Sequence, residues 1–172
     1  MKKQILATLV LIISAYATAH ATSKGETDCS SSKQITVNTG FSKVIVDGNV
    51  DVVLFEGNAE SQIRTFGKSS ELAATIISQA NGVLTIKGSN KGRGEKVLVY
   101  VPVTNLSVIE ATGNSKVSSA SALQSQQLTL IVKGDCKLSI EATGSIDVVQ
   151  DGDVEMLVEK NTIKTPKTVS QS

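Results

Sequence analysis

Short alternations of apolar and polar residues, most of them bounded by Gly, Asn or Asp, fill the chain from Gln34 to Val158. Ile35-Thr36-Val37 comes first and Gly40 breaks it. Val44-Ile45-Val46 and Val50-Asp51-Val52-Val53-Leu54 then flank Gly48. Ile63 to Phe66, closed by Gly67, Val83-Leu84-Thr85-Ile86, and Val97-Leu98-Val99-Tyr100-Val101 continue the series. A period of two with β-branched and aromatic residues predicts strands, and Pro102 is expected to end the last of these. One stretch has helical spacing instead. Ser69 or Ser70 can act as N-cap, Glu71 lies in the first turn, and Leu72, Ile76 and Ala80 share a face. This predicts one short helix of at most three turns, the alternative being an irregular stretch, with Asn81-Gly82 as its stop or as a tight turn.

The last third repeats itself. Ile109-Glu110-Ala111-Thr112-Gly113-Asn114-Ser115-Lys116-Val117 returns 31 residues later as Ile140-Glu141-Ala142-Thr143-Gly144-Ser145-Ile146-Asp147-Val148. A smaller unit recurs within and around it: Gly, two residues, a charge, then apolar-any-apolar. It occurs as Gly48 to Leu54, Gly134 to Ile140 and Gly152 to Val158. Gly113, Gly134 and Gly152 are 21 and 18 residues apart, with Gly144 between the last two. Coils of about 20 residues, each too small to bury its own apolar face, predict an all-β solenoid in which stacked coils share one core. Gly and Asx would turn the corners. An antiparallel sandwich would also use short alternating strands, but near-verbatim repetition at drifting spacing favours the solenoid. The charge after each glycine is Asp, Glu or Lys, so no reaction can depend on it.

The ends read differently. Lys2 and Lys3, the apolar run Ile5 to Ile13 and the alanine-rich Ala15 to Ala21 have the order of a secretory signal peptide over residues 1–21. The apolar run falls short of the ~20 residues a transmembrane helix needs. The expectation is export to the periplasm or cell surface, with no transmembrane segment in the mature chain. Glu26-Thr27-Asp28 before Cys29 does not suit lipidation. Residues 22–33 read as a flexible lead-in, 34–159 as the domain and 160–172 as a polar tail.

Export changes the chemistry available. Without Lys2 and Lys3, the 17 Lys+Arg become 15 against 16 Asp+Glu, a net charge of −1. Nothing in that balance favours nucleic acid or an anionic membrane. The one His, His20, lies within the leader or at its boundary, so imidazole catalysis and His-built metal sites are excluded. Cys29 and Cys136 are a disulfide candidate in an exported chain, the alternative being two unpaired thiols. Lys87 to Lys96 is rich in Gly and Lys, but it lacks the spacing of a phosphate loop and precedes a strand, so it reads as a solvated loop, the alternative being contact with an anionic polymer. Asp147, Asp151, Asp153 and Glu155 lie close in sequence. Asp151 and Asp153 are weak calcium candidates, and the group could serve a glycan lyase or hydrolase, although turn aspartates most often cap their own backbone. The chain has no Trp, and Phe41, Phe55 and Phe66 are expected in the core, so an aromatic platform for sugars is missing. The polar, nearly uncharged stretch Ser118 to Gln127 is one candidate binding surface or an exposed loop.

These phrases together resemble the putative auto-transporter adhesin, head GIN domain family, exported proteins of Bacteroidetes-type bacteria. The likeness is carried by Phe41-Ser42-Lys43-Val44-Ile45-Val46, Gly48 to Leu54 and Gly57. It continues through Leu72, Ile76, Asn81-Gly82-Val83-Leu84-Thr85-Ile86, Val97 to Pro102, Leu106, Ile109 and Thr112-Gly113-Asn114-Ser115. It spans about Gln34 to Val158. The resemblance implies a three-faced, right-handed parallel β-helix-like solenoid and an adhesin label, with no catalytic residues to carry over. Two departures stand out: fewer Ser-Gly pairs, and Lys116 and Lys137 where small residues are common. Nor does the polar C-terminus resemble a membrane barrel, so self-secretion is not expected.

The function expected from the sequence is therefore a non-enzymatic envelope or surface module that binds a glycan or a surface protein. A polysaccharide-active enzyme is the alternative. No cofactor is expected. Exposed edges at the ends of the stack make a homo-oligomer one possible outcome.

Overall fold

A computed structural model of the protein describes residues 30–58, 61–89, 94–151 and 155–157. The chain is mostly β, as its alternation predicts. Strands β1 (Ser30–Thr36), β2 (Lys43–Asp47), β3 (Val50–Glu56) and β4 (Gln62–Lys68) are followed by helix α1 (Ser69–Ala74). Then come β5 (Ile76–Ala80), β6 (Val83–Lys87), β7 (Val97–Val103), β8 (Val108–Thr112) and β9 (Lys116–Ser119). The series closes with β10 (Gln127–Lys133), β11 (Lys137–Ser139), β12 (Ser145–Asp151) and β13 (Glu155–Leu157).

These strands form two mixed sheets. One has seven strands in the order β1-β4-β7-β3-β9-β11-β13, the other six in the order β12-β10-β8-β2-β6-β5. The two orders match. Each strand of the central parallel run in the six-stranded sheet leads into a strand of the seven-stranded sheet, as β2 into β3, β8 into β9 and β10 into β11. The in-register parallel pairs Val44↔Ile109, Ile109↔Leu130, Val52↔Val117 and Val117↔Leu138 stack these units. Their alternate residues point inward, so Val44, Leu84, Ile109 and Leu130 of one sheet share a core with Val52, Val99, Val117 and Leu138 of the other. At one end the stack is closed by antiparallel strands: β4 and β1 beyond β7, and β5 beyond β6.

The right-handed, parallel β-helix-like solenoid expected from the repeats and the resemblance is not shown by these sheets. The sheets are mixed and do not close, and the chain does not lay its units down in order. The β2–β3 unit sits in the middle of the stack. The link from β7 to β8 passes from one side of it to the other, with Ser107 N–H and Val108 N–H both donating to Ser42 O.

Four local expectations also change. The strand β1 starts at Ser30, inside the stretch expected to be a lead-in. The helix ends at Ala74, and its N-cap is Lys68 rather than Ser69 or Ser70. Thr75-Ile76-Ile77 is a run of β-branched residues, which favours the extended chain. Ile76–Ala80 therefore pairs antiparallel with β6 across Asn81-Gly82, whose φ values of 50° and 74° make a hairpin turn. Pro102 does not end its strand: β7 runs on to Val103. The ladder to β4 covers only Leu98 to Tyr100, so Pro102 lies past it and its missing N–H breaks no bond there.

Candidate functional site

The glycine corners explain the small repeat. Gly113 and Gly134 have φ of 74° and 80°, and a Cβ on Gly113 would come within 3.0 Å of Gly48 N. These corner glycines stack in one column. Beside them Asn114 Nδ2 donates to Asn49 Oδ1 at 3.2 Å, and Asn49 Nδ2 donates to Gly94 O at 2.9 Å. The charged position of the repeat stacks likewise, Asp51 against Lys116 and Lys116 against Lys137. Asp51 takes an ion pair from Lys96 at 3.2 Å. This column is architecture, and it brings no two carboxylates together.

The longer echo has another meaning. Thr112-Gly113 turns from the six-stranded to the seven-stranded sheet, whereas Thr143-Gly144 turns on the return connection. A Cβ on Gly144 would collide with the carbonyl oxygens of Ser125 and Gln126. The same phrase thus serves two different corners, which is why its 31-residue spacing matches no stacking register.

Of the carboxylates considered for calcium or catalysis, the two described ones stay apart. Asp147 and Asp151 are both exposed on β12, four residues from one another, or roughly 13 Å along a strand. Asp147 accepts a hydrogen bond from Gln127 Nε2 at 2.8 Å. Asp153 lies outside the described residues, as does the side chain of Glu155. Among the described residues no group of three His, Cys, Asp or Glu side chains converges. Cys136 has a free thiol, 1% exposed, whose Sγ lies 3.3 Å from Gly113 O and 3.4 Å from Lys133 O. Cys29 lies outside the described residues.

An aromatic surface does exist, contrary to the sequence expectation. Phe41 is buried, but Phe66 is 39% exposed and Phe55 half-buried, both on the outer face of the seven-stranded sheet. The cause is strand parity. Ile63 and Thr65 face the core, so Gln62, Arg64 and Phe66 face out. Val97, Val99 and Val101 face in, so Leu98 and Tyr100 face out. Antiparallel pairing then sets Arg64 beside Tyr100 and Phe66 beside Leu98, and parallel pairing sets Val53 beside Tyr100 and Phe55 beside Pro102. The Arg64 guanidinium lies 5.7 Å from the Tyr100 ring centroid. The Phe66 ring meets Tyr100 edge-on, centroids 5.8 Å apart and planes at 89°. The result is a flat apolar and cationic patch in which the Tyr100 ring is already engaged.

A second feature lies on the connections that return from the seven-stranded to the six-stranded sheet. An open hollow of about 650 Å³ is lined there by Asn105, Leu106, Ser107, Gln124 to Gln127, Thr143 and Gly144. A smaller one of about 320 Å³, which Asn105 also lines, continues it towards Asn38 and Ser42. Part of the Ser118–Gln127 stretch noted in the sequence thus forms the wall of a groove.

The family model described as putative auto-transporter adhesin, head GIN domain, matches residues 40–162. A putative adhesin from Parabacteroides distasonis ATCC 8503 superposes with a TM-score of 0.66 at 20% identity, over 80% of this chain and 60% of that one. One from Bacteroides fragilis NCTC 9343 gives 0.62 at 14%, over 80% and 65%. One from Parabacteroides merdae ATCC 43184 gives 0.56 at 19%, over 74% and 51%. At such identities these likenesses establish the fold, and this chain spans only half to two thirds of their length. No curated protein matches the chain. With the family model covering most of its length, the chain belongs to the putative auto-transporter adhesin, head GIN domain family.

Proposed function

We propose that the protein is a non-enzymatic, adhesin-like module of the cell envelope or surface, exported by residues 1–21 and docking a protein partner through the outer face of its seven-stranded sheet. We read its stacked units as a short, irregular solenoid that holds this face rigid. The single observation that carries the reading is the Arg64–Tyr100–Phe66 cluster standing in water with Leu98, Val53 and Phe55 around it. Arg, Tyr and Phe are the residue types enriched at protein–protein interfaces, and a flat, pre-ordered patch loses little entropy on docking. A sugar fits this face less well, because Arg64 lies over the Tyr100 ring and Phe66 abuts its edge. A glycan-active enzyme is not favoured, since Asp147 and Asp151 stand roughly 13 Å apart along β12 and no group of three His, Cys, Asp or Glu converges among the described residues.

The test uses beads coated with the mature protein and envelope fragments of Bacteroides fragilis, a source of a similar fold. Wild-type beads should capture the fragments, and capture should be lost after protease treatment but survive periodate. The double variant Arg64→Ala, Tyr100→Ala should reduce capture at least tenfold with an unchanged far-UV spectrum. Undiminished capture by that variant, or capture lost to periodate alone, would sink the reading.

A further inference from the structure

We propose that the groove on the return connections is a second, separate binding site, and that it takes an uncharged glycan chain. Its lining is made of amides, hydroxyls, backbone and apolar groups, without one charged side chain. Amides and hydroxyls both donate and accept hydrogen bonds, as sugar hydroxyls do. The side-chain amides of Asn105, Gln124 and Gln126 make no hydrogen bond to other described residues, and all three residues are exposed. The framework behind them is satisfied. Thr143 Oγ1 donates to Leu123 O at 3.3 Å, Ser107 Oγ to Ser42 O at 3.0 Å, and Ser145 N–H to Gln126 O at 3.0 Å.

The groove crosses the stack rather than following one strand. Ser42 and Ser107 precede β2 and β8 and Gln127 begins β10, three neighbouring strands of the six-stranded sheet that lie about 4.8 Å apart. A linear polymer lying across them meets similar polar groups at each step. A peptide would instead seek an unpaired strand edge for its own backbone, which this groove does not offer. Acidic glycans are disfavoured by the rim. Glu56 Oε1 accepts from Gln124 N–H at 2.6 Å, and Asp147 accepts from Gln127, so two carboxylates flank the entrance with no cation in the lining. The volume of about 650 Å³ lies in the range of ~300–1,000 Å³ typical of small-ligand sites. The one aromatic residue of the lining, Phe41, is only 1% exposed and offers no stacking platform, so binding rests on hydrogen bonds and is weak and selective for stereochemistry.

The experiment is an NMR titration of the mature, ¹⁵N-labelled protein with four probes: cellohexaose, maltohexaose, mannohexaose and, as the acidic counterpart, a polygalacturonate hexamer. At least one neutral hexamer should shift the side-chain amide signals of Asn105, Gln124 and Gln126. The double variant Gln124→Ala, Gln126→Ala should weaken that binding at least tenfold while keeping its Tm, since neither amide supports the fold. Arg64→Ala, Tyr100→Ala should leave it unchanged, which separates this site from the docking face. The proposal is overturned if no neutral hexamer shifts these signals, if polygalacturonate binds as tightly, or if the glutamine variant binds like wild type.

Discussion

Gly113 and Gly144 occupy the same place in an echoed phrase, yet different physics requires each of them. Gly113 has φ of 74° and tight stacking on Gly48, so Gly113→Ala should cost about 1–3 kcal/mol in urea unfolding. At Gly144 the obstacle is packing against two carbonyl oxygens, and Gly144→Ala should cost about 3 kcal/mol or more. Equal and small losses at both sites would contradict the two-corner assignment. Cys136 offers a second test at this scale. Its thiol is buried against backbone carbonyls, so alkylation under native conditions without reductant should leave it unmodified, and denaturation should make it react. A thiol that stays inert until reductant is added would instead be bridged. The outward position of Phe66 and Tyr100 was legible from parity alone: the inward set is Val97, Val99, Val101 on one strand and Ile63 and Thr65 on the other. Aromaticity argued for burial, but strand periodicity decides the face, and here it outweighs residue type.

Among elements, Ile76–Ala80 shows where local pattern misleads. Leu72, Ile76 and Ala80 have helical spacing, but Ile76 is 61% exposed and Ile77 packs against the core, as strand alternation dictates. The β-branched run and the hairpin with β6 override a weak periodic signal. Replacing Asn81 and Gly82 together by alanine separates the two cases. The hairpin predicts a loss of about 1–2 kcal/mol, because both positions need positive φ. A helix running to Ala80 would tolerate those alanines or gain from them. The remaining strands, their glycine corners and most of their limits follow from alternation, since each buries one face and hydrates the other.

For the whole molecule, the repeat announced stacked strand–corner–strand units but not their order. Stacking order depends on which surfaces the β2–β3 unit offers once folded, and it offers both, taking β6–β7 on one side and β8–β9 on the other. No residue spacing encodes that choice, because the link between β7 and β8 is equally compatible with either neighbour. The groove escaped for a related reason: Asn105, Gln124 and Thr143 are distant in sequence and meet only when connections stack. The docking face likewise exists only once β4 folds back onto β7. Its role is the central claim, and hydroxyl-radical footprinting of the protein free and bound to envelope fragments tests it most directly. Phe66, Ile76 and Val149 are the exposed large hydrophobic residues among those described, and they act as reporters for opposite sheets, with Tyr100 beside Phe66. Binding should protect Phe66 and Tyr100 severalfold and leave Ile76 and Val149 as reactive as before. Protection of Ile76 and Val149, with Phe66 and Tyr100 unchanged, would contradict the account.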